Sequence, residues 1–191
     1  MVIDANSRIS LSNNDSSNTG NTIFGKSAWN NSSDNASDYN TIFGEGVMGT
    51  GAVAGATPNT AVGYSALAAI LTGDGNVAIG ANAMDDTDAH ANTGASENNV
   101  FVGFHSGGGT WAATQTDNAI GIGAYALYGA LDNVDGTVAI GGNALTALTS
   151  GAGNVAVGYS ALSQHTTGLR NIAIGYNAMD GTAANDCPTS I

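Results

Sequence analysis

A nine-residue pattern of hydrophobic and polar positions recurs along this chain. Its regular form reads Asn, a β-branched residue, Ala, a β-branched residue, Gly, two polar or aromatic residues, Ala, then Leu or Met, as in NVAVGYSAL from Asn154 and NIAIGYNAM from Asn171. Nine copies lie between Asn21 and Met179, and a repeated period of this kind is typical of a repeat architecture, not of a globular core. Their pivotal glycines, spaced by 17 to 23 residues, are Gly25, Gly44, Gly63, Gly80, Gly103, Gly123, Gly141, Gly158 and Gly175.

The alternation inside each copy predicts a short β-strand. Apolar positions follow period 2, so the two β-branched residues share one face and the Ala between them takes the other. A helix is disfavoured because each internal glycine would cost it about 1 kcal/mol. The Gly after the strand predicts a sharp turn. The closing Ala-Leu or Ala-Met predicts a second short extended piece, whose Leu or Met meets the β-branched face across a thin core.

Short strands of this kind cannot bury a face alone, so we expect successive copies to stack in parallel about 4.8 Å apart. The predicted fold is all-β, a parallel β-roll or β-solenoid of about nine short coils. Equivalent residues then form columns, including an asparagine column that is hydrogen-bonded along the stack. Its members are Asn21, Asn40, Asn59, Asn76, Asn99, Asn154 and Asn171.

The small residues at the centre of the strands suggest an interface. A thin rod with little core is marginally stable as a single chain, and association of identical chains is a common remedy. We therefore expect a homo-oligomer whose interface is this small column or the Ala of the second piece. The members of the small column are Ala61, Ala78, Gly121, Ala139, Ala156 and Ala173.

The chain divides into three parts. Residues 1–20 are polar, with an RISLS alternation that predicts a short strand, and form an N-terminal attachment or capping segment. Residues 21–179 are the repeat body, and residues 180–191 are a C-terminal tail or the start of a continuation. Longer spacings predict protruding loops at Asp85–Asn98 and Gly107–Asp117.

Charge excludes several partner classes. The 15 acidic and 3 basic residues give a net charge of −12, and the only cations are Arg8, Lys26 and Arg170. Nucleic acids and anionic membrane surfaces bind clusters of Lys and Arg, so we expect neither as a partner. No apolar run approaches the roughly 18 residues of a membrane span. The single cysteine, Cys187, cannot form an intrachain disulfide.

Units such as NVAIGANAM, NTAVGYSAL and NIAIGYNAM resemble the head repeats of trimeric autotransporter adhesins. They are also similar to repeats in fibre proteins of tailed bacteriophages. The resemblance covers about Asn21 to Met179 and implies a left-handed β-roll, a homotrimer and a role in attachment.

The start of the chain lacks the basic and apolar segments of a secretory signal, so if Met1 is the native start we expect no export by the general secretory route. The adhesins also carry a coiled-coil stalk and a C-terminal membrane barrel, which this sequence lacks. We therefore expect a structural virion fibre protein of a tailed bacteriophage, a rigid trimeric spacer or a receptor-facing adhesin. Other virion proteins would bind the N-terminal segment, and a host surface glycan or protein is a possible receptor. The alternative is a bacterial surface adhesin or extracellular filament subunit.

Two motifs imitate enzyme signatures. Gly20–Ser27 matches the phosphate-loop pattern GxxxxGKS, but it lacks the preceding hydrophobic strand and the following helix. Gly63-Tyr-Ser65 and Gly158-Tyr-Ser160 begin like a nucleophile elbow without its final glycine. The repeat accounts for both motifs, so we expect no catalytic residue, no cofactor and no enzymatic activity.

The remaining chemical candidates are isolated. His90, His105 and His165 fall at different places in the unit, which argues against a shared metal or catalytic role. The acidic runs Asp85-Asp86-Thr87-Asp88 and Asp132-Asn-Val-Asp135-Gly lack the full spacing of a calcium loop, so we expect no metal site. The aromatic candidates that could contact a glycan or partner, or else cover the ends of coils, are Phe104, Trp111 and Tyr128.

Overall fold

The computed structural model describes residues 7–10, 20–29, 37–49, 55–86, 96–111 and 114–181. Within these ranges ten strands form a single sheet in chain order. The strands are β1 (Ser7–Ser10), β2 (Thr22–Lys26), β3 (Thr41–Phe43), β4 (Thr60–Val62), β5 (Val77–Ile79), β6 (Val100–Val102), β7 (Ile120–Ile122), β8 (Val138–Ile140), β9 (Val155–Val157) and β10 (Ile172–Ile174). No helix among these residues has the length and hydrophobicity needed to cross a membrane.

The strands from β2 to β10 are parallel and in register, one from each copy of the repeat. Val77 pairs with Val100 and Ile79 with Val102, and the same equivalence holds along the whole stack. The predicted β-solenoid is therefore confirmed. Nine strands at about 4.8 Å give a stack roughly 40 Å long.

An antiparallel strand closes the first edge of this parallel sheet. β1 runs opposite to β2, with Ser7 facing Lys26 and Ser10 facing Ile23. The strand predicted from the RISLS alternation is confirmed. An edge paired in this way no longer offers free backbone groups to another parallel strand.

The segment after each pivotal glycine is a chain of turns. In the copy from Asn76, Asn82 and Met84 have φ angles of 55° and 49°. The Asn82 N–H donates to the Tyr64 carbonyl of one neighbouring coil at 2.8 Å, and the Met84 N–H donates to the Ser106 carbonyl of the other at 3.0 Å. The predicted second extended piece is thus wrong. Left-handed residues alternate with right-handed ones, and the peptide groups alternately bond both neighbouring coils.

The sheet buries the face that the pattern assigned to the outside. Ala78 and Ala156 are fully buried inside the coil, whereas Ile79 on the other face is 39% exposed. The prediction that β-branched residues line the core is wrong. Strand alternation determines which residues share a face, but it does not determine which face is inside. In this narrow coil the large residue of the turn occupies the interior, which leaves space for only a small one on most strands.

The core is a column of large turn residues flanked by alanines. The residue four positions after each pivotal glycine points inward and is fully buried in most coils. These residues are Trp29, Met48, Leu67, Met84, Leu127, Leu145 and Leu162.

One coil keeps its core filled with different residues. Gly107 stands where seven other copies have Leu or Met, and Gly121, in the next copy, stands where five copies have Ala. The ring of Phe101 occupies the freed space, because a Cβ added at Gly107 or Gly121 would lie 2.7 or 2.5 Å from its ring. Trp111, 1% exposed, packs edge-on against Phe101 with ring centroids 5.8 Å apart. Trp111 is therefore a core residue and cannot contact a glycan or partner.

The asparagine column ties each coil to the next. Asn76 Oδ1 accepts the backbone N–H of Asn99 at 3.0 Å, and Asn76 Nδ2 donates to the Ser96 carbonyl at 2.9 Å. The same pair of bonds recurs at Asn40 and Asn59. The predicted hydrogen-bonded column is confirmed, with backbone groups as the main partners of its amides.

Candidate functional site

On the outer face of the parallel sheet, the first and third positions of the strands form a continuous strip of side chains without a charged residue. Two columns form it, from the first and third positions of the strands. Ile122, Ile140 and Ile174 are 38 to 44% exposed. The first column is Thr22, Thr41, Thr60, Val77, Val100, Ile120, Val138, Val155 and Ile172, and the second is Phe24, Phe43, Val62, Ile79, Val102, Ile122, Ile140, Val157 and Ile174. We call this surface the outer strip.

Contiguous exposed apolar surfaces are often sites at which proteins associate. The small column proposed as an interface lies instead inside the coils, where Ala61, Ala139 and Ala173 have no exposed surface. The Ala of the turn is inside as well, as Ala66 and Ala126 show. The predicted location of the interface was therefore wrong. The expectation that a thin rod gains stability by association with identical chains therefore applies to the outer strip instead.

Four aromatic rings cluster on the turn edge of two adjacent coils. We call Phe104, His105, Tyr125 and Tyr128 the ring cluster. His105 stacks on Tyr125 at 5.6 Å with an interplanar angle of 6°, and Tyr128 meets both edge-on at 5.7 and 5.4 Å. Phe104 meets His105 and Tyr125 edge-on at 4.4 and 5.4 Å. Each ring thus supports the others and leaves part of its surface in solvent.

Polar groups fix the imidazole of the ring cluster. Asn82 Nδ2 lies 3.1 Å from His105 Nε2. A Cβ added at Gly108 would lie 3.1 Å from His105 Nδ1 and 3.0 Å from Asp85 Oδ1, so both atoms lie next to this glycine. Both are buried and have no hydrogen-bond partner among the described residues. Burial raises the pKa of Asp85 above its ordinary value of 3.8, and the nearby His105 opposes part of that rise.

A second surface feature is an open groove with a volume of about 520 Å³, lined by residues that include Ser150 and Leu169. Asp132, one of the predicted calcium candidates, lies in it and accepts a hydrogen bond from the Thr114 hydroxyl. Asp135 Oδ1 accepts the backbone N–H of Asp117 at 2.8 Å. These carboxylates therefore bond between coils, and no group of three or more His, Cys, Asp or Glu side chains within the described ranges could hold a metal ion.

The other sequence candidates are scattered. His165 is buried beside Asn171 at 2.9 Å, far along the chain from His105, while His90 and Cys187 lie outside the described residues, as do Thr87 and Asp88. Residues 22–26 of the phosphate-loop match form strand β2, and Lys26 Nζ lies 3.4 Å from Glu45 Oε1 of the next coil. Ser65 and Ser160 are turn residues with φ near 52°.

Sequence reasoning missed Tyr125 and Asn82. The signal was present, because the turn position of Tyr125 holds Ser, Asn, Gly or His in every other copy.

Comparison with protein-family models, curated proteins and solved structures gave no match.

Proposed function

We propose that this chain is a structural fibre protein of a tailed bacteriophage, a trimeric spacer that also faces the receptor. The outer strip is the observation that carries the proposal. It extends over nine strands, bears no charge in a chain of net charge −12, and leaves residues such as Phe43 half exposed. Two further copies of the chain would cover it, and stacking in register would keep the covered surfaces matched along the whole rod.

The stacked coils support the mechanical part of the proposal. Each coil contributes a row of backbone and asparagine hydrogen bonds to the next, so extension or bending must break several of them together. The N-terminal segment, with β1 closing the sheet edge, would join the fibre to other virion proteins. The left-handed winding implied by the resemblance stays a prediction.

A charge placed in the outer strip tests the association. Ile79→Lys together with Ile140→Lys puts two ammonium groups where neighbouring copies would meet, and burying an unpaired charge is costly. We expect a trimer for the parent chain and a folded monomer for the double variant, measured by sedimentation equilibrium and circular dichroism. Tyr64→Lys, on the turn edge, is the control and should remain trimeric. A monomeric parent chain would contradict the proposal.

The virion location requires a separate test. Gold-labelled antibody against this chain should decorate fibres on purified phage particles in electron micrographs. Labelling of bacterial surfaces without labelling of particles would favour the alternative, a surface adhesin or extracellular filament subunit.

A further inference from the structure

We propose that the ring cluster of Phe104, His105, Tyr125 and Tyr128 is a binding platform for neutral saccharide units of a surface glycan. The proposal deepens the receptor-facing part of the proposed function and rests on it. Sugar rings have apolar C–H faces that stack on aromatic rings, and their hydroxyls need nearby polar groups. Both kinds of surface meet at this edge of the solenoid.

The aromatic surface has the size of a small ligand. Phe104, Tyr125 and Tyr128 are 47%, 37% and 39% exposed. With about 200 Å² for each aromatic side chain, they offer roughly 250 Å² in total. A stable protein–protein interface needs about 800 Å² from each partner. The platform is therefore too small for a protein partner on its own and matches a few sugar rings.

The backbone at Tyr125 indicates that the ring is placed there at a cost. Its φ of 58° lies in the left-handed region, which bulky residues avoid and which the equivalent Ser65, Asn82 and Asn143 adopt more readily. An aromatic residue in this conformation adds nothing to the core, since its ring is on the surface. The repeat imposes this backbone conformation, since the core residue Leu127 (φ 51°) adopts it as well, so the exposed tyrosine ring is what distinguishes this coil.

The surrounding charge selects the ligand class. Asp85 belongs to the adjoining coil, and its Oδ1, like His105 Nδ1, lies close to Gly108. The chain as a whole carries a net charge of −12. Negative charge of this kind repels sialic and uronic acids, so neutral sugars are favoured. Asn82 and His105 form the polar edge of the platform. Asn82 Nδ2 contacts His105 Nε2 and so positions the imidazole that stacks on Tyr125.

Saturation-transfer difference NMR on the intact chain tests the proposal. The probes are maltotetraose, cellotetraose, mannotetraose and chitotetraose, with tetragalacturonate as the anionic comparison. We expect at least one neutral tetrasaccharide to bind through its ring C–H protons and tetragalacturonate not to bind. Absence of binding by all four neutral probes, or equal binding of the anionic one, would overturn the proposal.

Two variants locate the site, and each introduces a residue that the repeat already uses at that position. Tyr125→Asn copies Asn143, and Phe104→Ala copies Ala81, so both should fold. Each should weaken binding by at least about tenfold, as loss of an aromatic anchor does. Tyr64→Ala removes an exposed aromatic side chain two coils away and should leave binding unchanged. Equal losses in all three variants would overturn the assignment.

Sedimentation equilibrium of the same variants separates this proposal from the proposed function. If Tyr125→Asn dissociates the oligomer, the rings belong to an interface between copies and the platform does not exist. If the variants stay trimeric but no neutral probe binds the parent chain, the platform fails while the spacer role stands. If the parent chain is monomeric and a neutral probe still binds to it, the platform stands while the trimeric spacer role fails.

Discussion

At the residue scale, the pivotal glycines from Gly25 to Gly158 are required by two independent constraints. Gly158 has a φ of 137°, and a Cβ added to it would lie 2.2 Å from the carbonyl oxygen of Gly175 in the next coil. The first constraint penalises any side chain through backbone strain, and the second excludes it through contact with backbone that cannot move away. The spacing between coils at this corner is therefore set by the absence of a side chain.

Gly158→Ala should destabilise the protein by about 3 kcal/mol or more, because strain and collision add. Gly136→Ala is the matched control, since its φ of 63° is also left-handed but a Cβ there would meet nothing within 4 Å. That variant should lose only about 1 kcal/mol. Urea unfolding at one fixed chain concentration measures both. Equal losses would mean that the close approach of the two coils has no energetic weight.

The buried carboxyl of Asp85 makes a second residue-scale prediction. Its pKa is raised in the folded chain, mainly by burial, and lies near 3.8 when the chain is unfolded. The folded state then holds the proton more tightly, so Asp85 lowers stability as pH rises from 3.8 through its folded pKa. Asp85→Asn should be more stable than the parent at pH 7, and this advantage should shrink as pH falls through that window.

Thermal unfolding between pH 3.5 and 7.5 measures the effect, with Asp86→Asn as the control for the same change of charge one residue away. The Asp86→Asn difference should not follow the same profile. An Asp85→Asn advantage that grows towards low pH would show that attraction to His105 outweighs burial.

At the scale of the coil, the asparagine column links neighbouring coils, and its hydrogen bonds differ along the stack. Its chain of side-chain acceptors runs unbroken from Asn21 to Asn99 and ends where Ala119 replaces asparagine. Thr137 restores a weaker link, since its hydroxyl accepts the Asn154 N–H at 3.4 Å. The asparagine column is therefore weakest between Asn99 and Asn154, and it resumes where Asn154 Oδ1 accepts the Asn171 N–H at 2.9 Å.

Asn76→Ala should cost about 3 kcal/mol, because it leaves the buried Asn99 N–H and the Ser96 carbonyl unsatisfied, each at about 1–3 kcal/mol. Thr137→Val keeps the shape of the side chain and removes only the long bond to Asn154. It should cost about 1 kcal/mol or less. Urea unfolding of both variants checks the ranking, and a larger loss at Thr137 would contradict the column as described.

The sequence correctly predicts that the coils stack, but it does not predict which strand face fills their interior, and the reason is physical. A period of 17 residues with Gly and Asn at fixed places leaves few folds other than a stack, and the register follows. Which strand face is buried depends on the volume left by the turn, and alternation at Val77 and Ile79 carries no information about it. The polar Thr22, Thr41 and Thr60 on the Val/Ile face were the available signal. The ring cluster joins residues from two neighbouring copies, so it becomes visible only once the copies are stacked.

At the scale of the whole molecule, stability is a sum over coils and over contacts between neighbours. Each strand contacts only its immediate neighbours in the sheet, so no strand-to-strand contact among the described residues spans several coils. Such a molecule can change length without changing its internal design. Its length is therefore a tunable property, as a spacer requires.

Removal of one complete coil tests this property directly. Deletion of Val155–Asn171 removes 17 residues and joins Asn154 to Ile172, so that the Leu145 N–H would meet the Ala178 carbonyl now used by Leu162. We expect a folded rod shortened by about 4.8 Å, measured by small-angle X-ray scattering, with a modest loss of stability. Deletion of residues 155–162 alone removes strand β9 with its turn, breaks the phase of the stack, and should abolish cooperative unfolding. If both deletions behave alike, coils are not the independent units from which this molecule is built.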